Sequence, residues 1–119
     1  MATIKTHIED CERILGEDFQ YVHEWFDKFA KEWNPHIYLE YHRQFRHNQK
    51  GVDYVKEKWG FYTQQSAKLH IIRDNDMYLL LPVIDIMRED QIDKLYEQAI
   101  KFCHPLREDW QKYIGEEWS

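Results

Sequence analysis

A chain of 119 residues, 43% of them hydrophobic, is long enough to form one domain with a buried core. Only four Gly and three Pro leave little material for turns, which disfavours β-sandwiches and barrels. The formal net charge of -6 opposes broad nonspecific DNA binding, because an acidic surface repels the phosphate backbone.

Apolar residues recur at helical spacing along most of the chain. A first helix is predicted to end at Gly16, and a second to begin after Asp18 and end at Asn34-Pro35. A third is predicted from Ile37 past Gly51 to Gly60, with an apolar stripe along one side.

The second half of the chain continues the helical pattern. A fourth helix is predicted over about residues 61–73, and an apolar stripe from Ile92 through Phe102 to Cys103 predicts a fifth. Residues 77–84 fit either a buried extended segment or a short helix broken at Pro82, and a short final helix follows His104-Pro105. We therefore predict an all-α fold, a compact single-domain bundle of five to six helices over residues 1–119.

The cysteines and the hydropathy pattern predict a cytoplasmic protein. No apolar run approaches the roughly eighteen residues that a membrane span needs, and the N-terminus lacks the apolar segment of a signal peptide. Cys11 and Cys103 fall on apolar stripes and are predicted to be buried free thiols.

The polar face of the third predicted helix is rich in basic side chains. His42, Arg43, Arg46 and His47 span an arc of about 140° opposite the apolar stripe, and Lys50 lies in the same sector. Arg offers a planar fork that suits phosphate or carboxylate, and His adds a donor or a metal ligand. These five residues are therefore predicted to bind an anionic ligand. The alternative is that the arginines pair with Asp and Glu of neighbouring helices.

Two pairs, each of one His and one Asp four residues apart, lie on the second and fourth predicted helices. At that spacing both side chains share one face of a helix, where they can hold a metal or a hydrogen bond. An imidazole from the third helix would complete a site for Zn, Mn or Fe. Because His42 and His47 lie about 140° apart on a continuous helix, one is expected to be a ligand and the other an outer contact. The predicted metal ligands are His23, Asp27, His42, His47, His70 and Asp74.

Each pair has a simpler interpretation, since a His beside an Asp at this spacing is commonly an oriented, hydrogen-bonded His without a metal. The remaining histidines, His7, His36 and His104, lie at or near helix ends and are predicted to be structural. The sequence carries neither a G-x-S-x-G nucleophile motif nor a P-loop.

Several short segments resemble a family of uncharacterised small bacterial and phage helical proteins. The family pattern reads H-[DE]-W-F-D, then H-R-x-x-R-H-x-x-x-G-[IV], a later Gly, and H-x-x-x-D. This chain has HEWFD at 23–27, HRQFRH at 42–47, GV at 51–52, a Gly at 60 and HIIRD at 70–74. The resemblance covers about residues 21 to 76 and implies that one site contains His23, Asp27, His42, Arg43, Arg46, His47, His70 and Asp74.

The chain departs from that pattern after its last Asp, where the family tends to have Leu-Gly and an Ile-Pro-Thr turn. The family brings no established activity. A weaker similarity is to HD-type metal phosphohydrolases, which are helical proteins with His, His-Asp and Asp ligands. Here Asn48 follows His47 in place of the defining Asp, so this class serves only as an analogy for a helical His/Asp metal site.

These observations favour a protein that binds a phosphate-bearing, nucleotide-like ligand, and they leave open whether it is an enzyme. In the catalytic form a divalent metal polarises water, His47, His70 and Asp74 are catalytic, and Arg43 and Arg46 neutralise phosphoryl charge. One alternative is a non-enzymatic, phage-type anti-defence protein that sequesters a nucleotide signal or inhibits a host protein. Another is an interaction module or homodimer that uses Trp110, Tyr113 and Trp118.

Overall fold

The structure, a computed structural model, describes residues 3–32, 46–75 and 87–103. In these ranges the chain forms helices and no strand. The α-helices are α1 (Ile4–Leu15), α2 (Gln20–Glu32), α3 (Gln49–Trp59), α4 (Phe61–Asp74) and α5 (Ile92–Ala99), and two 3-10 helices cover Glu89–Gln91 and Ile100–Phe102. The predicted all-α bundle is confirmed.

Helix α1 ends and helix α2 begins where short-range hydrogen bonding predicts, whereas the predicted end of the second helix at Asn34-Pro35 lies outside the described residues. The side chain of Thr3 accepts a hydrogen bond from the first turn of α1. Gly16 ends α1 with φ 83°, a left-handed conformation, and its N–H donates to the carbonyl of Cys11 at 3.1 Å. A carboxylate oxygen of Asp18 accepts from the N–H of Gln20 at 3.3 Å, at the start of α2. Both predicted boundaries are confirmed.

The prediction of one continuous helix from Ile37 to Gly60 is wrong, because α3 begins only at Gln49. His47 and Asn48 are not helical, and Asn48 has the extended angles φ -153° and ψ 177°. Its side chain accepts a hydrogen bond from the N–H of Gly51 at 2.9 Å, the standard geometry of an N-cap. A capping side chain therefore interrupts a helix that the apolar spacing alone had extended.

Helix α4 lies at the centre of the bundle and packs against α1, α2, α3 and α5. Ala67 and Ile71 are buried, and so is most of the remaining helix, including polar residues. The Cα radius of gyration, 13.6 Å, is about that of a compact domain of this length. A central helix with polar side chains places those side chains in the interior.

The apolar core combines residues of all five helices. Cys11 is fully buried and Cys103 is half-buried, and both are free thiols. The predicted stripe to Phe102 is wrong at its end, since Phe102 is exposed where the chain changes to a 3-10 helix. The buried apolar residues are Cys11, Leu15, Phe19, Val22, Trp25, Phe26, Val52, Val55, Ala67, Leu69, Ile71, Ile72, Met87, Ile92, Tyr96 and Ala99.

Several predictions concern residues outside the described ranges. They are the roles of His42 and Arg43, the conformation of residues 77–84, and the final helix after His104-Pro105. The interface at Trp110, Tyr113 and Trp118 belongs to the same group. None of the helices that the structure describes is long and apolar enough to cross a membrane.

Candidate metal centre

Four side chains from three segments bring one ligand atom each into a single cluster, all within 4.8 Å of one another. The Nε2 atoms of His47 and His70 are 3.0 Å apart. Asp27 Oδ1 is 3.2 Å from the first and 3.4 Å from the second, and Asp74 Oδ2 is 3.3 Å from both. We call Asp27, His47, His70 and Asp74 the His/Asp cluster.

These separations match the edges of a coordination polyhedron. Zinc bonds to His nitrogen and carboxylate oxygen at about 2.0–2.2 Å, which places neighbouring ligand atoms about 3.4 Å apart in a tetrahedron and about 3.0 Å apart in an octahedron. The five separations involving His47 or His70 run from 3.0 to 3.4 Å. The rings of His47 and His70 are inclined at 55°, so their in-plane lone pairs can converge on one point. The cluster can therefore hold one ion.

Helices α2 and α4 supply three of the four side chains of the His/Asp cluster. His70 and Asp74 are one turn apart on α4, so both side chains leave the same face of that helix. Asp27 comes from α2, which packs against α4. The two helices thus bring Asp27, His70 and Asp74 close together, whereas His23 of the first pair lies outside this group.

The fourth member of the cluster, His47, lies in a tight turn between Arg46 and α3. The N–H of Asn48 donates to the carbonyl of Arg46 at 2.9 Å, the i to i+2 bond of a γ-turn centred on His47. Gly51 passes close beneath this turn. A Cβ at that position would overlap the Arg46 carbonyl oxygen and lie 2.9 Å from the carbonyl carbon. The turn that directs the His47 imidazole inward therefore depends on Arg46, Asn48 and Gly51.

Arg46 is itself buried, with an exposed fraction of 1%. Its guanidinium carbon lies 4.2 Å from the centre of the Trp25 ring, and its Nη1 donates to the Trp25 carbonyl at 2.8 Å. Arg46 therefore attaches the His47 turn to α2, two residues before Asp27. The prediction that Arg46 and His47 lie together on one polar helix face, opposite the apolar stripe, is wrong, since His47 is not helical and both side chains are buried.

The His/Asp cluster is deeply buried. The side chains of His70, Asp74, His47 and Asp27 are 0%, 2%, 3% and 13% exposed. Burial opposes protonation of His70, but the carboxylates of Asp27 and Asp74 outweigh it and raise the His70 pKa to about 9. Burial raises the pKa of Asp27 and Asp74, yet His70 and hydrogen bonds from the other imidazoles lower both pKa values below the ordinary one.

Two more histidines contact the cluster from behind. His23 Nδ1 is 3.0 Å from His70 Nδ1, and His23 Nε2 is 3.4 Å from the sulfur of Cys11. His7 stacks on His70 with ring centres 3.6 Å apart, and its Nε2 lies 3.2 Å from Asp74 Oδ1. Burial and the neighbouring His70 lower the pKa of both His7 and His23, the latter to about 2, so both are neutral.

His7 was predicted to be structural only, and its contact with two of the cluster residues was missed. It reaches them because α1 is held against α4 by Asp10, whose carboxylate accepts two hydrogen bonds from Arg73 at 2.7 and 2.6 Å. The available signal was the spacing of His7 and Cys11, four residues apart on a helix.

His7, His23 and His70 also lie close enough to be considered as a second ligand group. Their ring planes, however, are inclined to one another by only 15–20°. A ring nitrogen binds a metal in the plane of its ring, so two rings stacked at 3.6 Å cannot share an ion. The Nδ1 atoms of His23 and His70 are 3.0 Å apart in nearly parallel rings, which is the geometry of a hydrogen bond.

The predicted site residues thus fall into three groups. Asp27, His47, His70 and Asp74 come together, and His23 contacts the opposite nitrogen of His70. Arg46 packs on α2, and Lys50 is exposed on α3. His42 and Arg43 lie outside the described residues, so their assignment as anion-binding residues stays a prediction.

Comparison of the chain with protein-family models, curated proteins and solved structures finds no match. The resemblance to the bacterial and phage family therefore stays a prediction. The case for a function depends on the His/Asp cluster itself.

Proposed function

We propose that this chain binds a divalent transition metal at the His/Asp cluster and uses it to hydrolyse a phosphate-bearing ligand. The observation that carries the proposal is the convergence of two imidazole nitrogens and two carboxylate oxygens at 3.0–3.4 Å. Imidazole and carboxylate together suit zinc, manganese and iron.

Charge supports the same proposal. Asp27 and Asp74 carry two negative charges in a largely buried region. A buried charge is costly unless it is paired, and one divalent ion neutralises both carboxylates at once. In the absence of an ion, the proton on His70 compensates only one of them.

The number of ligands also leaves room for chemistry. Four protein ligands fill a tetrahedron but leave two positions of an octahedron for water and a substrate oxygen. A divalent ion held here would lower the pKa of a coordinated water far below its value in bulk, toward about 7. Asp27, the most exposed of the four ligands at 13%, marks the side from which solvent reaches the cluster.

The donor set and a nearby cation support a phosphate ester as the substrate. Two His and two Asp on helices form the donor set of the HD-type phosphohydrolases, to which the sequence shows a limited similarity. Lys50 is exposed three residues after His47 and offers one cation near the turn that carries this ligand. Hydrolysis would add water across a P–O ester bond, releasing an alcohol and a phosphate.

The test is turnover of p-nitrophenyl phosphate and bis(p-nitrophenyl) phosphate by protein loaded with zinc or manganese. We expect p-nitrophenol release that requires the metal. Asp27→Asn should lower the rate at least about 100-fold, because it removes one of the two carboxylate charges of the cluster. The matched control is Asp90→Asn, because the Asp90 side chain is exposed and forms an ion pair with Arg88, which is not part of the cluster. A metal-loaded protein without turnover of any phosphate ester would contradict the hydrolase and favour the non-enzymatic binder.

A further inference from the structure

We infer that His23 is a positioning residue that fixes the tautomer of His70 and thereby presents its Nε2 lone pair to the metal. This inference rests on the proposed metal site. His23 contacts Nδ1 of His70, whereas the other three cluster residues lie beside its Nε2.

The first step is the direction of the hydrogen bond between the two rings. A neutral imidazole that binds a metal through Nε2 carries its proton on Nδ1. Nδ1 of His70 lies 3.0 Å from Nδ1 of His23, and the two rings are inclined by only 20°. His70 must therefore donate, and His23 must accept with the lone pair of its Nδ1.

The second step follows from the first. A neutral His23 that accepts at Nδ1 carries its proton on Nε2, which lies 3.4 Å from the sulfur of Cys11. The sulfur is a weak acceptor at this distance, and all three side chains are fully buried. The order of donors thus runs from α4 through α2 to α1, away from the cluster.

The third step is what this arrangement prevents. In the other tautomer His70 would carry its proton on Nε2, which points at His47, Asp27 and Asp74 and would exclude the ion. An acceptor behind a metal-binding imidazole typically contributes 10- to 100-fold in metal affinity. In most sites that acceptor is a carboxylate or a carbonyl, whereas here it is a second imidazole.

The experiment is a zinc affinity measurement by chelator competition on the full chain. We expect His23→Leu, which removes the acceptor, to weaken zinc binding about 10- to 100-fold. His23→Asn keeps an acceptor near the Nδ1 position and should restore most of that loss. Val22→Ala is the matched control, because it removes buried volume from the neighbouring position of the same helix and leaves the His23 imidazole in place.

Two further readouts separate positioning from a merely structural role. Cobalt(II) absorption should change in His23→Leu and return in His23→Asn, since it reports the ligand geometry. Nitrogen-15 NMR of the zinc-loaded wild type should place protons on His70 Nδ1 and His23 Nε2, and this needs no variant that must fold.

The outcomes are distinct. A wild type that takes up no zinc overturns both the metal site and this inference. Zinc binding in the wild type, together with affinity in His23→Leu within about twofold of it, overturns the inference alone. A proton found on His23 Nδ1 in the zinc-loaded protein does the same.

Discussion

His47 and His70 lie 23 positions apart in the chain, and their Nε2 atoms are 3.0 Å apart in the interior. Two bare nitrogen lone pairs at this distance repel, so a proton or a metal ion must lie between or beside them. A proton on His70 is one solution, and the two neighbouring carboxylates favour it. A divalent ion is the other. The metal-free and metal-loaded forms should therefore differ in how their stability responds to pH.

In the metal-free protein, the free energy of unfolding should fall as pH rises from about 6.5 to 9. The His70 pKa of about 9 exceeds its unfolded value, so its stabilising effect is complete below 6.5 and is lost as pH rises through 9. The expected loss is on the order of 3 kcal/mol. Urea unfolding at a series of pH values measures it.

The zinc-loaded protein supplies the comparison, because an ion on His70 Nε2 replaces the proton and should remove this slope. His70→Gln should remove it as well in the absence of zinc. A slope between pH 6.5 and 9 that persists in His70→Gln would show that another group causes it.

Below pH 6.5 the metal-free protein should also lose stability. The pKa values of His7 and His23 are lowered by folding, so the unfolded chain binds protons that the folded chain does not. Asp27 and Asp74, whose pKa values are also lowered, add to the loss below about pH 4. Maximum stability is therefore expected near pH 6.5. A maximum well below pH 6 would contradict the assigned neutral state of His7 and His23, and a maximum above pH 8 would contradict the raised pKa of His70.

Zinc should raise the melting temperature of the wild type. At a free zinc concentration 100 times the dissociation constant, binding adds about 2.7 kcal/mol, or roughly 10 °C for a domain of this size. Asp74→Asn should show almost no rise, because it removes a charge and a ligand atom from the cluster. Differential scanning fluorimetry measures both melting temperatures. Equal rises in the wild type and in Asp74→Asn would place the bound zinc elsewhere.

Gly51→Ala should both destabilise the fold and weaken metal binding. The new methyl group would overlap the carbonyl of Arg46 and push the turn that carries His47, at a cost of about 1–3 kcal/mol. Gly16→Ala is a useful control, because Gly16 has φ 83° but open space around it. It should cost about 1–2 kcal/mol through backbone strain and leave zinc affinity unchanged. Urea unfolding and chelator competition give the two quantities, and equal zinc affinity in Gly51→Ala would contradict the role of the turn.

Arg46→Met should act on the position of His47 more than on any anion. It removes the contact with the Trp25 ring and the hydrogen bond to the Trp25 carbonyl, together about 1–3 kcal/mol. We expect lower stability and weaker zinc binding. If Arg46 instead bound a phosphate group, as the sequence predicted, KM for a phosphate ester would rise while zinc affinity stayed constant.

Individual residues show which parts of the His/Asp cluster the sequence predicts. His70 and Asp74 were predicted as one pair because helical periodicity and i,i+4 spacing are properties of the local chain. The sequence predicts His47 as a candidate ligand, but places it on a continuous helix. That helix is wrong because the Asn48 side chain caps the start of α3, and apolar spacing alone does not reveal this cap. His7 was missed because only the packing of α1 on α4, through Asp10 and Arg73, brings it to the cluster. The spacing of His7 and Cys11 indicates that both lie on one helix face, but the residues that His7 contacts depend on packing between helices that are distant in the chain.

The measurement that tests the central claim most directly is the metal content of protein purified without an affinity tag or a chelator. Wild type is compared with Asp74→Asn and with the surface control Asp90→Asn by inductively coupled plasma mass spectrometry. The metal site predicts close to one zinc, manganese or iron per chain in the wild type and in Asp90→Asn, and almost none in Asp74→Asn. A wild type that stays metal-free, even after reconstitution with each of these ions, would contradict it.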